Sequence, residues 1–332
     1  MLYTEEDIIG FFKQQSLPKG ILGMGDDCAV IPRDSKSSWL ISTDTLVEDV
    51  HFTLDTISPQ NLGAKSVKVN VSDIAGMGGI PKFILFSCAI PSHLNDSFIE
   101  QYIEGVKNGI SQHGIYSIGG DTVSSKSKFF ISVTIIGEAK NNEIKYRHTA
   151  RVGDIICLTG KPGLSSVGLE LLNKDVKQRD KVSKRLIEQH CLPYIYLEEA
   201  RFLAKCKDVH AMMDCSDGLN KDLSRLCIAS NCSANVFIEQ IPKNQGLEIA
   251  SKENNWDVNK FLLTGGEDYI LIFTVHPEGH PEGLQPLSDA YLSTFNKEFY
   301  QIGRIIAKKE KNIFYSVDGT PFLNTYQDFE HF

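Results

Sequence analysis

The sequence has no G-x-x-x-x-G-K-[ST] phosphate loop: Gly160-Lys161 runs into Pro162, and no glycine stands at the required spacing upstream. The H-R-D and D-F-G signatures of protein kinases are absent. So is G-x-G-x-x-G, because Gly23-Met24-Gly25 continues into Asp26-Asp27. No apolar run approaches the roughly 20 residues that cross a bilayer. The start, Met1-Leu2-Tyr3-Thr4-Glu5-Glu6-Asp7, is acidic where a signal or transit peptide would be basic. The eight cysteines form no C-x-x-C pair, and reduced, mostly buried thiols are expected in a chain of this size. An excess of basic charge is also missing. Lys and Arg number 34 against 42 Asp and Glu, a net charge of −8, which argues against a nucleic-acid partner. The expectation is a cytoplasmic protein with neither nucleic acid nor membrane as partner.

At 332 residues the chain exceeds what one core readily serves, so two domains are expected. The polar stretch Lys140-Asn141-Asn142-Glu143 is the expected hinge, dividing the chain into 1–140 and 141–332. In the first part, Thr4-Glu5-Glu6-Asp7 reads as a capping box opening a helix through Gln14. Ser58-Pro59 opens a helix toward Ser72, and Asn95 to His113 reads as a helix stopped by Gly114. Strands are expected over 38–44, 83–90, 115–118 and 129–136. In the second part, strands at 154–158, 209–214, 234–239, 269–275 and 299–306 alternate with helical patterns, as in an α/β or α+β domain. His276-Pro277-Glu278-Gly279-His280-Pro281 reads as a solvated loop. Its two histidines stand four apart, but Pro and Gly break the helix that would align them on zinc.

Acidic residues recur at strand ends and in glycine-rich turns: Gly25-Asp26-Asp27, Ser42-Thr43-Asp44, Ser72-Asp73, Gly119-Gly120-Asp121-Thr122, Asp214-Cys215-Ser216-Asp217-Gly218 and Gly265-Gly266-Glu267-Asp268. Any one of these is ordinarily a turn residue bonding its own backbone. As a set they suggest more, because open α/β sheets bind ligands beyond the carboxyl ends of their strands. Converging carboxylates repel one another, and a bound cation removes the conflict. Asp, Ser and Thr oxygens without nearby His or Cys select a hard ion such as Mg²⁺, which commonly bridges to phosphates. The chemistry so implied is phosphoryl transfer.

In order, G-M-G-D-D-C-A-V-I, S-T-D-T-L-V-E-D-V-H-F, V-N-V-S-D-I-A-G-M-G, I-G-G-D-T, D-C-S-D-G-L and G-G-E-D-Y resemble the thiamine-monophosphate kinases, as does the aromatic ending Tyr326-Gln327-Asp328-Phe329-Glu330-His331-Phe332. The resemblance implies a two-domain α/β (α+β) fold like that of aminoimidazole ribonucleotide synthetases. Its N-terminal sheet would pair across a homodimer and bind ATP and Mg²⁺, and its C-terminal α/β domain would complete the nucleotide and substrate site. It implies ATP-dependent phosphorylation of thiamine monophosphate to thiamine diphosphate, with several Mg²⁺ ions. Asp27, Ser42, Thr43, Asp44, Asp73, Asp121, Asp214 and Asp217 correspond to metal ligands, of which Asp44, Asp73, Asp121 and Asp214 are the catalytic set. Gly120, Asp121, Arg147 and Ser216 correspond to ATP contacts, and His51, Glu267 and Tyr326 to contacts with thiamine monophosphate. Gly76-Met77-Gly78-Gly79 is richer in glycine than the family's run, and is expected only to loosen a helix end. Two alternatives stay open: another ATP-dependent enzyme of the superfamily, such as a selenophosphate or aminoimidazole ribonucleotide synthetase, and a silent nucleotide-binding module.

Overall fold

The computed structural model describes residues 3–13, 16–174, 180–277 and 283–328. The chain opens with helix α1 (Glu5–Lys13). Thr4 and Asp7 cap it reciprocally: the Thr4 N–H donates to the Asp7 carboxylate at 2.9 Å, and the Asp7 N–H donates to the Thr4 hydroxyl at 3.2 Å. Gln14, where this helix was expected to end, lies outside the described residues.

Strands β1 (Ala29–Pro32) and β2 (Ser37–Val47), helix α2 (Pro59–Gly76), β3 (Ile80–Pro91), α3 (Asp96–His113), β4 (Tyr116–Ser125) and β5 (Phe130–Lys140) follow. The five strands form one sheet in the order β1-β2-β5-β3-β4, antiparallel except for the parallel pair β3–β4. Helix α2 starts where Ser58 accepts the Asn61 N–H and Pro59 supplies a fixed φ at the first position. Asn95 caps α3, and Gly114 ends it in the left-handed conformation. Buried Ile131, Val133 and Ile135 alternate along β5 and face the helices. Helix α2 itself is buried along most of its length, because it also packs against the second half of the molecule.

The second half comprises β6 (Ile155–Leu158), α4 (Leu164–Leu172), α5 (Lys181–Cys191), α6 (Leu197–Lys205), β7 (Val209–Cys215), α7 (Leu219–Ala229) and β8 (Cys232–Phe237). It continues with α8 (Gln245–Asn254), α9 (Val258–Thr264), β9 (Ile270–Val275), α10 (Gln285–Phe295), β10 (Tyr300–Ala307), β11 (Ile313–Val317) and β12 (Thr320–Phe322). Its seven strands run in the order β12-β11-β8-β10-β6-β9-β7. β6 and β9 are buried at every position, as strands covered on both faces must be.

Two expectations about strand ends are corrected. β2 runs on to Val47, so Asp44 lies within the strand. Gly119-Gly120-Asp121 is likewise no turn but the middle of edge strand β4. The glycine serves a close approach instead: Gly120 has φ +150°, and a Cβ there would lie 1.8 Å from the Phe86 carbonyl oxygen. β1, β11 and β12 were not anticipated. They are short, and β1 and β12 carry a proline that demotes a strand signal. Of the expected loop after β9, residues 278–281 lie outside the described residues. None of the eight cysteines is in a disulfide.

Candidate active site

Four carboxylates from four chain segments meet at the junction of the two sheets. Asp27 precedes β1, Asp44 lies on β2, Asp73 is three residues from the end of α2, and Asp214 is near the end of β7. The Asp214 N–H donates to Asp27 Oδ2 at 3.3 Å, the Ser72 hydroxyl donates to Asp214 at 2.7 Å, and the Ser42 hydroxyl donates to Asp73 at 2.5 Å. Gly76 makes the junction possible: a Cβ there would stand 2.1 Å from Asp27 Oδ2 and 2.8 Å from the Asp214 nitrogen. It does more than loosen a helix end, correcting the sequence expectation.

Burial and mutual repulsion dominate the electrostatics. Burial pushes Asp73 well above the usual carboxylate range, and the charges of Asp44, Asp214 and Asp27 add to the push. Asp214 is raised in the same way, first by burial and then by Asp27. Asp44 is pushed up to about 6 by burial and by the charges of Asp217 and Asp27. Asp26 is raised to about 7 by burial and by Asp27. Burial also raises Asp27, against the pull of Arg147. The Arg147 guanidinium grips Asp27 through Nε at 3.0 Å and through Nη2, while its backbone N–H donates to Asp26 at 3.0 Å. An all-oxygen set of buried, mutually raised acids suits a hard cation.

The remaining expected ligands lie elsewhere. Side chains alternate along β2, so the Thr43 hydroxyl is on the sheet's outer face, 3.0 Å from the Val133 carbonyl oxygen, while Ser42 and Asp44 face inward. Asp121 shares that outer face, its neighbours across the sheet being Ser87, Ser132 and Thr45. Asp44, Val133, Phe86 and Gly120 form one cross-strand row. Three strand spacings therefore separate Asp44 from Gly120, about 14 Å along the sheet. Asp121 accepts the Thr122 N–H and stands exposed. Asp217 is held by Arg225 at 2.7 Å and Lys221 at 3.2 Å. Although burial pushes its pKa up, these two cations bring it below the usual carboxylate range.

A second group surrounds the Gly265-Gly266-Glu267-Asp268 turn. The Glu267 N–H donates to the Ser216 carbonyl at 2.7 Å and the Tyr269 N–H to the Cys215 carbonyl at 2.9 Å, so this turn interlocks with the loop after β7. Both Glu267 and Tyr269 adopt positive φ (61° and 51°), a strain more common at functional sites than elsewhere. Glu267 meets buried Lys65 at 3.2 Å and His190 at 3.4 Å. Asp268 caps α4 by accepting the Gly163 and Ser165 N–H groups, yet burial still pushes it up to about 7.

His51 accepts the Val47 N–H on Nδ1 at 3.0 Å. Its loop is tied to the end of α5, where the Cys191 thiol donates to the Thr56 carbonyl. Tyr326 donates its hydroxyl to Asp257 at 2.5 Å, at the start of α9. Glu267 follows the far end of that helix, so the structure does not bring these two together; residues 329–332 lie outside the described residues. Sequence reasoning missed Lys65, His190, Arg225 and the close approach at Gly76. Lys65 carried a signal, since it falls at i, i+7, i+8 and i+11 with Ser72, Asp73 and Gly76 on one face of α2.

Residues 25–139 match the N-terminal domain of AIR synthase related proteins, and residues 151–316 match their C-terminal domain. The thiamine-monophosphate kinase of Haemophilus influenzae is 33% identical over 339 residues, covering 100% of this chain and 99% of that one. That of Bacillus subtilis is 32% identical over 313 residues, covering 94% and 93%. Among solved structures, "AaThiL complexed with AMPPCP and TMP" superposes with a TM-score of 0.85 at 30% identity, covering 99% of this chain and 97% of that one. Similar in sequence and in fold over its whole length, the chain belongs to the thiamine-monophosphate kinases of the AIR synthase related family.

Proposed function

We propose that the chain transfers the γ-phosphoryl group of ATP to thiamine monophosphate, giving thiamine diphosphate and ADP. The observation that carries this reading is the convergence of Asp27, Asp44, Asp73 and Asp214 at the junction of the two sheets. The similar structure bound to AMPPCP and TMP supports the same pair of substrates. The acceptor brings its own nucleophile, a phosphate oxygen, which is largely ionised at pH 7 because the second pKa of a phosphate monoester is about 6. The enzyme therefore needs no general base. Its work is to hold two anions in line and balance their charge.

The inner carboxylates and Ser42 fit Mg²⁺ by donor chemistry, since every donor is oxygen and the carboxylates repel when alone. Bound Mg²⁺ would neutralise the phosphates and assist departure of ADP. Arg147 balances Asp27 until nucleotide arrives, and then turns its planar fork to phosphate. Gly120 and Ser216 complete the nucleotide contacts, and Asp217 takes a further ion once released by Arg225 and Lys221. Glu267, steadied by Lys65 and His190, binds the thiamine end with His51, and Tyr326, tied to Asp257 at the other end of α9, would have to swing in to join them.

The first domain, 1–140, would carry ATP, metal and dimerisation, and 141–332 would complete the site. A homodimer is supported by β4, an edge strand exposed at nearly every position, with Asp121 on its outer face apart from the inner carboxylates. No helix among the described residues is long and apolar enough to cross a membrane. That, and cysteines that form no disulfide, fit a protein of the cytoplasm working without a membrane. The test is incubation of the purified chain with ATP, Mg²⁺ and either thiamine monophosphate or free thiamine. Thiamine diphosphate should form from the monophosphate, and free thiamine should be a poor acceptor. Equal or faster turnover of free thiamine would overturn the assignment.

A further inference from the structure

At the opposite end of the second sheet three strand ends come together. Ile155 opens β6, Val275 closes β9 and Val209 opens β7, and Val275 is the register partner of both others. The residue beside each is a potential metal ligand: Asp154, His276 and His210. Asp154 is fully buried. Its Oδ2 accepts the Arg151 N–H at 2.9 Å and the Thr274 hydroxyl at 3.0 Å, which fixes the carboxylate with both oxygens facing His210, each 3.0 Å from its Nδ1. His210 Nδ1 stands 3.0 Å from Oδ1 and His276 Nδ1 stands 3.4 Å from it.

These separations are close to about 3.3 Å, the edge of a tetrahedron whose ligands lie about 2.0–2.1 Å from its centre, as they do around Zn²⁺. The backbone contributes too. The β7–β9 register shifts between Val209 and Ala211, so His210 occupies an irregular position, a device that re-aims a side chain. Its carbonyl is pinned by the Thr149 hydroxyl at 2.7 Å. Two imidazole nitrogens and one carboxylate oxygen suit zinc and its neighbours, not magnesium. His276 remains about a third exposed (29%) and gives the group access to solvent. His210 stands 66 positions upstream of His276, and the two rings lie 5.4 Å apart.

We propose that Asp154, His210 and His276 form a second metal site for a divalent ion of zinc's class, stapling β6, β7 and β9 together. His210 and Asp214 are four residues apart on β7, about 13 Å at the rise of an extended strand, so the site lies away from the catalytic carboxylates. It acts on stability and not on phosphoryl transfer.

The test uses the full chain stripped with chelator and returned to excess Mg²⁺, which occupies the oxygen-lined centre. Titration with Co²⁺ should give one equivalent with the intense visible bands of a tetrahedral nitrogen-ligated ion. Zn²⁺ should abolish those bands and raise the melting temperature. His276→Gln and His210→Gln should each weaken Co²⁺ binding at least about a hundredfold, beyond the roughly 10–100-fold cost of losing an outer-sphere partner. His276→Gln should keep its phosphoryl-transfer rate in Mg²⁺. Absence of the bands in the native chain, as expected of a mere His–Asp proton pair, would overturn the proposal. So would their persistence in His276→Gln, a solvent-accessible position whose replacement leaves the core packing in place.

Discussion

Asp73 sits where three other carboxylates press on it and one serine hydroxyl holds it. Asn keeps its size but removes one anionic oxygen. Asp73→Asn should therefore cut phosphoryl transfer by at least roughly 10²–10³, the usual loss when one preorganised electrostatic group is removed. Activity should recover only in part at high Mg²⁺. Without metal the variant should melt no lower than the native chain, because a repelling charge has gone. Near-normal activity, or loss through unfolding alone, would show Asp73 to be a helix-end residue. Asp268 offers a separate reading of burial. Its folded-state pKa is raised to about 7, so its contribution to stability is full below the ordinary carboxylate range and is lost as pH rises from there through 7. His113 and His190, held down near 4 by burial, and Asp26, raised to about 7, titrate alike in the native chain and in Asp268→Asn, so their influence cancels in the comparison. Between about pH 5 and 7 the native chain should lose stability more steeply than Asp268→Asn, by at most about 1.4 kcal/mol per pH unit. Parallel curves from thermal melts would refute the assignment, whatever the variant's overall loss from weaker capping of α4.

Helix α2 is the element through which the two halves of the molecule make the site, and Gly76 is its point of closest approach. Alanine is a better helix former than glycine by about 1 kcal/mol, yet the added methyl would meet the Asp27 carboxylate and the Asp214 backbone. Gly76→Ala should lower stability by about 1–3 kcal/mol, as overpacking does, and reduce activity together with it. A variant more stable than the native chain and fully active would show that the junction is slack. Most elements were legible in the sequence because caps, periodicity and apolar runs are local signals: Ser58-Pro59, Asn95 and Gly114 announced α2 and α3. The acidic motifs also contained the four carboxylates that converge, Asp27, Asp44, Asp73 and Asp214. Two things were hidden. The facing of Thr43 and Asp121 away from Asp44 depends on register across four strands, which no single strand encodes. The pairings of Lys65 with Glu267 and of His210 with His276 join segments 202 and 66 residues apart, and only the folded chain brings them together.

At the scale of the whole molecule, β4 closes one edge of the first sheet with Tyr116, Ile118 and Val123 all exposed. Proteins seldom leave such an edge uncovered. Light scattering should give a species of twice the 37.0 kDa chain mass. Tyr116→Lys combined with Ile118→Lys should shift it to the monomer without unfolding it, since neither side chain is part of the buried core. A monodisperse native monomer at micromolar concentration would count against pairing. The outer-face placement of Asp121 then has a kinetic consequence. If a neighbouring chain must supply or frame that carboxylate, the enzyme is a reactant in forming its own active site. Initial velocity should then rise with nearly the second power of enzyme concentration below the point where the pair comes apart, and become first order above it. Dilution at constant substrate, with the lysine double variant following the steep limb throughout, would convert the geometry of one edge strand into a measurable reaction order.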